Sequence, residues 1–123
     1  MKRELIILLL LIFILSACGT ATDKEAKITY TEEFPHVPKH PSMVFEEFTE
    51  AESEEQLSQA TYRIEDEEYE SFLTEYEEIL IEDGWEIIQD EKPMSLSMKK
   101  DEQISVFIVY KVGDTLMLTA FAR

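Results

Sequence analysis

The sequence predicts an α+β fold in which one amphipathic helix packs on an antiparallel sheet, in the order β-β-α-β-β-β-β. Between residues 66 and 83, apolar side chains recur at spacings of three and four, the period of a helix with one buried face. After Gly84 the apolar period changes to two, over four segments joined by short turns. Short links favour antiparallel neighbours, because parallel strands require long crossover connections.

Two strands are predicted before the helix. The first runs from Met43 to Thr49. The second spans residues 59 to 64, where apolar and polar side chains alternate, so that one face is buried. Residues 50 to 58 between them are too polar for a core and predict a loop or a solvated helical turn.

The helix is predicted from about Asp66 to Asp83. Its apolar stripe consists of Tyr69, Phe72, Leu73, Tyr76, Ile79 and Leu80. Asp66 is the predicted N-cap, because its side chain can accept a hydrogen bond from a free N–H of the first turn. Gly84 is predicted to end the helix, because glycine adopts the left-handed conformation without strain.

Four strands are predicted after the helix. They are Trp85 to Gln89, Ser95 to Lys100, Ile104 to Lys111 and Leu116 to Phe121, and the turns between them contain Pro93, Asp101 and Gly113-Asp114. The strand from Ile104 to Lys111 is apolar at both alternating sets of positions. Either it is central, with the N-terminal segment or a loop packed behind it, or a partner covers its second face. The second alternative makes it a candidate surface for another protein of the cell envelope.

The N-terminus predicts export rather than a permanent membrane span. Lys2 and Arg3 precede an unbroken apolar run from Leu5 to Leu15. This run is about half of the ~20 residues that cross a bilayer, and it has the length of a signal-peptide core. Residues 1–17 are therefore predicted to be a cleaved signal peptide.

The end of this run carries a second pattern. Leu15 is followed by the small residues Ser16 and Ala17 and then by Cys18, the single cysteine of the chain. The pattern resembles the lipobox of bacterial lipoproteins. The resemblance implies cleavage before Cys18, a diacylglycerol group on its sulfur, and attachment to the lipid bilayer at the extracytoplasmic face of the cell membrane. Each buried methylene contributes ~0.8 kcal/mol, so several acyl chains on one residue anchor a protein stably.

A further resemblance lies in the domain. The residues that carry it are Phe72, Tyr76, Leu80 and the pair Gly84-Trp85, after a lead-in from Pro38 to Val44. They look like a helix-to-strand pattern of small exported bacterial domains of unassigned function. The resemblance implies an α+β fold and no particular reaction.

The remaining chain divides into a tether and one domain. Residues 18–42 comprise the lipid-bearing cysteine, a small polar stretch and a proline-rich strap (residues 34–42), and residues 43–123 form a single small α+β domain. Pro35, Pro38 and Pro41 are three apart, which is the polyproline II period. We expect an extended strap that packs on the domain; the alternative is a ligand for an aromatic groove.

Charge restricts the partners. The chain has a formal net charge of −16 at pH 7, so we expect no nucleic-acid binding. No basic residue lies between Arg63 and Lys92, and like charges four apart on a helix repel. This acidity indicates bound cations, a basic partner, or a surface that is only solvated. The candidate ligands for a divalent cation are Glu75, Glu78 and Glu82.

Other chemistry has less support. His36 and His40 lie in the strap, whose prolines exclude the helix that would let them share a metal ion. The sequence contains no Gly-x-Ser-x-Gly turn, phosphate-binding loop or His-Glu-x-x-His motif. We therefore expect neither an enzyme nor a cofactor. The expected function is a non-catalytic accessory or interaction module anchored through Cys18, and the alternative is a divalent-cation-binding module that uses the acidic helix face.

Overall fold

The structure, a computed structural model, describes residues 27–123. They form one antiparallel sheet of six strands and one helix, in the predicted order β-β-α-β-β-β-β. Because six strands stand against one short helix, the fold is mostly sheet, and the α+β class describes it only approximately. Within this range no helix has the length and apolar composition of a membrane span. The predicted signal peptide and Cys18 lie outside the described residues.

The last four strands of the chain form a meander, and the first two strands extend the sheet at one edge. Its strands are β1 (Met43–Thr49), β2 (Ser58–Ile64), β3 (Glu86–Glu91), β4 (Ser95–Lys100), β5 (Gln103–Val112) and β6 (Thr115–Ala122), and the helix is α1 (Phe72–Glu82). The order across the sheet is β1-β2-β6-β5-β4-β3, so β5 and β6 are central. Successive strands β3 to β6 are neighbours, and β6 then pairs with β2.

Two tight turns join the last three strands, as the sequence predicts. Asp101, between β4 and β5, has φ 55°, and Gly113, between β5 and β6, has φ 64°. Lys100 pairs with Gln103 across the first turn. Turns of this kind require positive φ angles, because their twist must match that of the strands.

Helix α1 begins later than predicted. Asp66 has φ 57°, a left-handed conformation that cannot start a right-handed helix, so it is not the N-cap. That position belongs to Ser71, which makes no side-chain capping hydrogen bond. The predicted end is confirmed: Gly84 has φ +99°, its N–H donates to Ile81 O at 3.0 Å, and the Trp85 N–H donates to Leu80 O at 3.0 Å. These two bonds are those of a Schellman motif.

The core lies between α1 and one face of the sheet. The buried residues of α1 are Phe72, Leu73, Tyr76 and Leu80. The ring of Tyr76 meets Phe107 of β5 edge-on, with 4.9 Å between the ring centroids. Burying a side chain of this size contributes about 1.5–3 kcal/mol, so α1 is held mainly by these contacts.

The segment before β1 belongs to this core. Phe34 and Val37 are only 3% and 1% exposed. The Tyr76 hydroxyl donates to the carbonyl of Pro38 at 2.7 Å. The prediction ended the tether at residue 42, whereas residues 27–42, called the N-terminal segment below, are already packed on the domain. Phe34 and Val37 stand among prolines and do not repeat at the spacing of a helix or a strand. The sequence pattern therefore does not predict that they are buried.

The N-terminal segment is not an extended polyproline II strap. Tyr30 and Pro38 form an antiparallel bridge, so the chain turns back on itself between them. Pro38 is buried, whereas Pro35 and Pro41 are exposed. The three rings therefore do not line one edge, although the packing of the strap on the domain is as expected.

The second face of the central strands is also apolar. Val106, Ile108 and Tyr110 of β5 lie half-buried on the face opposite α1, together with Met117 and Phe121 of β6. Val106 is opposite Phe121, and Tyr110 is opposite Met117. The doubly apolar strand is therefore central, as one of the two alternatives predicted. The N-terminal segment packs on the side of α1 and not behind this strand.

Candidate metal centre

Three potential metal ligands meet where the N-terminal segment contacts the start of α1. One ligand atom from each of His40, Glu67 and Glu75 lies within 4.8 Å of the other two. The Nε2 atom of His40 is 3.6 Å from Oε1 of Glu67 and 3.6 Å from Oε1 of Glu75. Between residues 27 and 123, this is the only group of three or more His, Cys, Asp or Glu side chains so arranged.

The strand register brings these ligands together. Met43 of β1 pairs with Ile64 of β2, so the end of the N-terminal segment runs beside the loop that follows β2. The N–H of Glu65 in this loop donates to the carbonyl of Ser42 at 3.0 Å. Glu67 lies two residues further along the same loop, and Glu75 is in the first turn of α1. The cluster therefore draws one ligand from each of three segments and requires the folded chain.

The ring of His40 is held on two sides. It packs on the ring of Phe72 at a tilt of 59°, with 5.0 Å between the ring centroids. Its Nδ1 accepts a hydrogen bond from the N–H of Ser42 at 3.1 Å and lies 2.7 Å from Ser42 Oγ. A ring nitrogen that accepts an N–H carries no proton, so the neutral ring has its proton on Nε2, facing the two carboxylates.

The cluster is electrostatically unbalanced. Distances of 3.6 Å are too long for hydrogen bonds between the ring and either carboxylate. Oε1 of Glu67 is buried and has no hydrogen-bond partner among the described residues. Burial, and then the neighbouring Glu75, raise the pKa of Glu67. Burial lowers the pKa of His40, although Glu75 acts in the opposite direction. The buried His40 ring and the partly buried Glu67 carboxylate are therefore disfavoured in their charged forms.

Of the three predicted cation ligands, one is in the cluster. Glu75 faces His40, and its side chain is 50% exposed. Glu78 and Glu82 are exposed and do not belong to the group. The prediction took all three ligands from the helix, whereas the partners of Glu75 come from two other segments.

The two histidines are held apart, as the proline argument predicts. The ring of His36 stacks on Trp85, just beyond the end of α1, with 6.3 Å between the centroids. His40 instead contacts Phe72, the first residue of α1. Burial, and then Lys100, lower the pKa of His36.

The acid at the end of α1 has a structural role. Asp83 accepts hydrogen bonds from the Tyr30 hydroxyl at 2.6 Å, Trp85 Nε1 at 3.2 Å and Lys100 Nζ at 3.2 Å. A helix C-terminus disfavours negative charge, and these donors compensate for it. Asp83 thereby joins the N-terminal segment, α1 and β4.

Ser42, His40 and Glu67 are also the residue types of a nucleophile, base and acid. In a hydrolytic triad the acid hydrogen-bonds the ring and orients it, but here both carboxylates are 3.6 Å away. The nitrogen beside Ser42 Oγ also accepts Ser42's own N–H, which makes this contact a local turn. The geometry therefore favours a cation site over acyl transfer.

The sequence pairs His40 only with His36 and does not single out Glu67. The signal that joins them is the pairing of β1 with β2, because one ligand precedes the first strand and the other follows the second. A search for ligands that flank paired strands would have placed them side by side.

Comparisons with known proteins give no relative for this chain. No family model, curated protein or solved structure matches it. What the cluster does must therefore be inferred from its own atoms.

Proposed function

We propose that this chain is an exported lipoprotein, held to the membrane by Cys18, whose domain is a non-catalytic module that binds a divalent cation. The cation lies between His40, Glu67 and Glu75. The observation that carries this proposal is the buried Oε1 of Glu67, which has no hydrogen-bond donor in the part of the chain described and faces a second carboxylate.

Anchoring is supported by the sequence alone, through the pattern Leu15, Ser16, Ala17 and Cys18. Its test is cell fractionation of the full chain together with incorporation of a labelled fatty acid. The native chain should carry the label and sediment with membranes, and Cys18→Ala should lose the label and leave the membrane fraction. A native chain that carries no label, with a variant that stays on the membrane, contradicts lipid anchoring.

Cation binding is supported by the charge balance of the cluster. A buried carboxylate without a donor costs on the order of 1–3 kcal/mol, and a second carboxylate nearby adds repulsion. No lysine or arginine forms an ion pair with Glu67 or Glu75 within residues 27–123. A divalent cation would supply the missing positive charge and bind all three groups.

The test is the melting temperature of the full chain in detergent, with divalent cations and with a chelator at matched ionic strength. A ligand that binds only the folded state at 100 times its Kd adds about 2.7 kcal/mol of stability, so the melting temperature should rise. Glu75→Gln should abolish the rise, whereas Glu78→Gln, which removes the same charge from the exposed side of α1, should retain it. Equal responses of the two variants would locate the effect elsewhere.

A second candidate function is binding of an envelope protein through the sheet face opposite α1. It is favoured by the five apolar residues on the two central strands, Val106, Ile108, Tyr110, Met117 and Phe121. A photo-crosslinking residue at Ile108 should capture one protein of defined mass in cells, and the same residue at Glu78 should not. Loss of that product in a Tyr110→Lys background supports this function, and identical products from both positions contradict it.

A further inference from the structure

We propose that the cluster selects a transition-metal ion such as Zn²⁺ over Ca²⁺ and Mg²⁺, and that Nε2 of His40 binds the ion while its proton is displaced and Nδ1 becomes the protonated nitrogen. Ser42 Oγ accepts the hydrogen bond from Nδ1 in the bound state. This inference rests on the proposed cation-binding function and names the class of ion and the ring nitrogen.

The ligand set distinguishes between these ions. Ca²⁺ takes six to eight oxygen ligands, and Mg²⁺ keeps an octahedral shell of oxygens and waters. Imidazole nitrogen combined with carboxylate oxygen is instead a ligand set for Zn²⁺ and its first-row neighbours. One imidazole between two carboxylates therefore favours the transition metal.

The spacing agrees with tetrahedral coordination. Bonds of ~2.0–2.2 Å in a tetrahedral zinc site place neighbouring ligand atoms ~3.4 Å apart. Nε2 of His40 lies 3.6 Å from each carboxylate oxygen, so a small contraction is enough. Because Glu75 is 50% exposed, water can reach the cluster from its side and occupy the fourth position.

One buried carboxylate oxygen and one ring nitrogen, both without hydrogen-bond partners among the described residues, point to a missing ligand. The His40 side chain is only 9% exposed, and its Nε2 makes no hydrogen bond to any residue described, although it faces two carboxylates. Oε1 of Glu67 is also buried without a partner within residues 27–123. Buried polar atoms of folded proteins are nearly always satisfied, and one ion between these atoms would satisfy both.

The contacts of Ser42 with Nδ1 indicate which ring nitrogen of His40 carries the proton in each state. Without metal, the N–H of Ser42 donates to Nδ1, which leaves the proton on Nε2. A metal needs the lone pair of Nε2, so that proton must leave and Nδ1 must become the protonated nitrogen. A histidine that binds metal usually donates its other N–H to an orienting acceptor, and Ser42 Oγ is already 2.7 Å from Nδ1. Metal binding thus replaces the bond from the Ser42 N–H to Nδ1 by a bond from Nδ1–H to Ser42 Oγ, and the Ser42 N–H gives up this acceptor.

The test is calorimetric titration of the full chain in detergent with Zn²⁺ and, separately, with Ca²⁺, together with ¹⁵N NMR of the histidine rings. We expect one Zn²⁺ per chain, much weaker Ca²⁺ binding, and a change at His40 from Nε2–H to Nδ1–H. Glu75→Gln should lower Zn²⁺ affinity by roughly 100-fold or more, and Ser42→Ala by roughly 10- to 100-fold, as for second ligand shells in general. Glu78→Gln is the matched control and should bind as the native chain does.

Each of the other possible outcomes contradicts a specific part of the inference. Ca²⁺ binding that depends on Glu75, without Zn²⁺ binding, overturns the metal assignment and leaves the cation-binding function intact. Two results contradict the claim that Nε2 binds the ion while Nδ1–H donates to Ser42 Oγ. One is Zn²⁺ binding with an unchanged His40 tautomer, and the other is full Zn²⁺ affinity in Ser42→Ala. Failure of both ions to bind, or equal binding to Glu75→Gln and Glu78→Gln, overturns the inference and the proposed function together.

Discussion

Helix α1 carries glutamates along one face, and their surroundings differ between the start of the helix and its later turns. At its start, Glu75 meets His40 of the N-terminal segment and Glu67 of the preceding loop. In the later turns, Glu78 and Glu82 are exposed and have no place in the cluster. Exposed like charges are screened by water and salt, so their number says little about a site. Convergence of ligands from three segments on one point, with one buried ring among them, is the more informative feature.

The largest expected difference is between the buried and the exposed face of α1 and concerns packing. Leu80 is fully buried, and Leu80→Ala should lower the free energy of unfolding by about 2–5 kcal/mol because it leaves a cavity. Ile81 is 49% exposed, and Ile81→Ala should cost less than about 0.5 kcal/mol. Urea unfolding of both variants measures this. Similar losses would mean that α1 is packed in a different orientation.

The next effect concerns the bond between α1 and the N-terminal segment. Tyr76→Phe removes the donor to the buried carbonyl of Pro38, and we expect a loss of about 1–2 kcal/mol. Tyr110→Phe is the control, because its hydroxyl lies 2.9 Å from Thr119 Oγ1 in a half-buried position where water can replace it. Hydrogen exchange at residues 29–39 should accelerate in Tyr76→Phe alone. Unchanged exchange in that variant would show that the Pro38 contact does not hold the segment.

A smaller effect of opposite sign is expected at the cluster. In the presence of a chelator, Glu67→Gln should raise the free energy of unfolding by about 1 kcal/mol, because it removes the charge of a carboxylate whose buried Oε1 has no donor among the described residues. Glu78→Gln removes an exposed charge and should change stability by less than about 0.5 kcal/mol. Thermal unfolding checks both. A destabilised Glu67→Gln would mean that the carboxylate is satisfied in the metal-free chain.

The smallest effect on stability is expected at the C-terminal end of α1. Glu82→Gln removes a negative charge from the C-terminal turn and from the like pair with Glu78, so it should stabilise by about 0.3–1 kcal/mol at low salt. The gain should disappear in molar sodium chloride, where the Debye length is about 3 Å. A gain that persists in high salt would indicate a cause other than charge.

The parts of the fold that depend on local sequence were predictable. The order of the elements along the chain, the helix end at Gly84 and the turns at Asp101 and Gly113 each follow from a period or a turn residue within a short window. The prediction of Asp66 as the N-cap was wrong. Aspartate is common both at helix N-caps and in left-handed turn positions, and a single sequence does not distinguish these two roles.

The site was predictable only in part, for a physical reason. Helical spacing identified Glu75 and added Glu78 and Glu82, because period is a property of one segment. The partners of Glu75 come from either side of the β1–β2 pair, and their proximity is set by strand register rather than by spacing along one element. The hydrogen bond from Tyr76 to Pro38 likewise joins positions 38 residues apart.

The N-terminal segment has a mechanical consequence. A force applied ahead of residue 27 would reach this segment before any strand, and β1, which follows it, is an edge strand. Tyr30 bound to Asp83, and then Pro38 bound to Tyr76, would bear the load in that order along the chain. A metal ion at His40 would add a third link to α1 just ahead of β1. Such an ion would raise the resistance of the domain to force, because its bond to His40 would have to break before β1 could separate from the sheet.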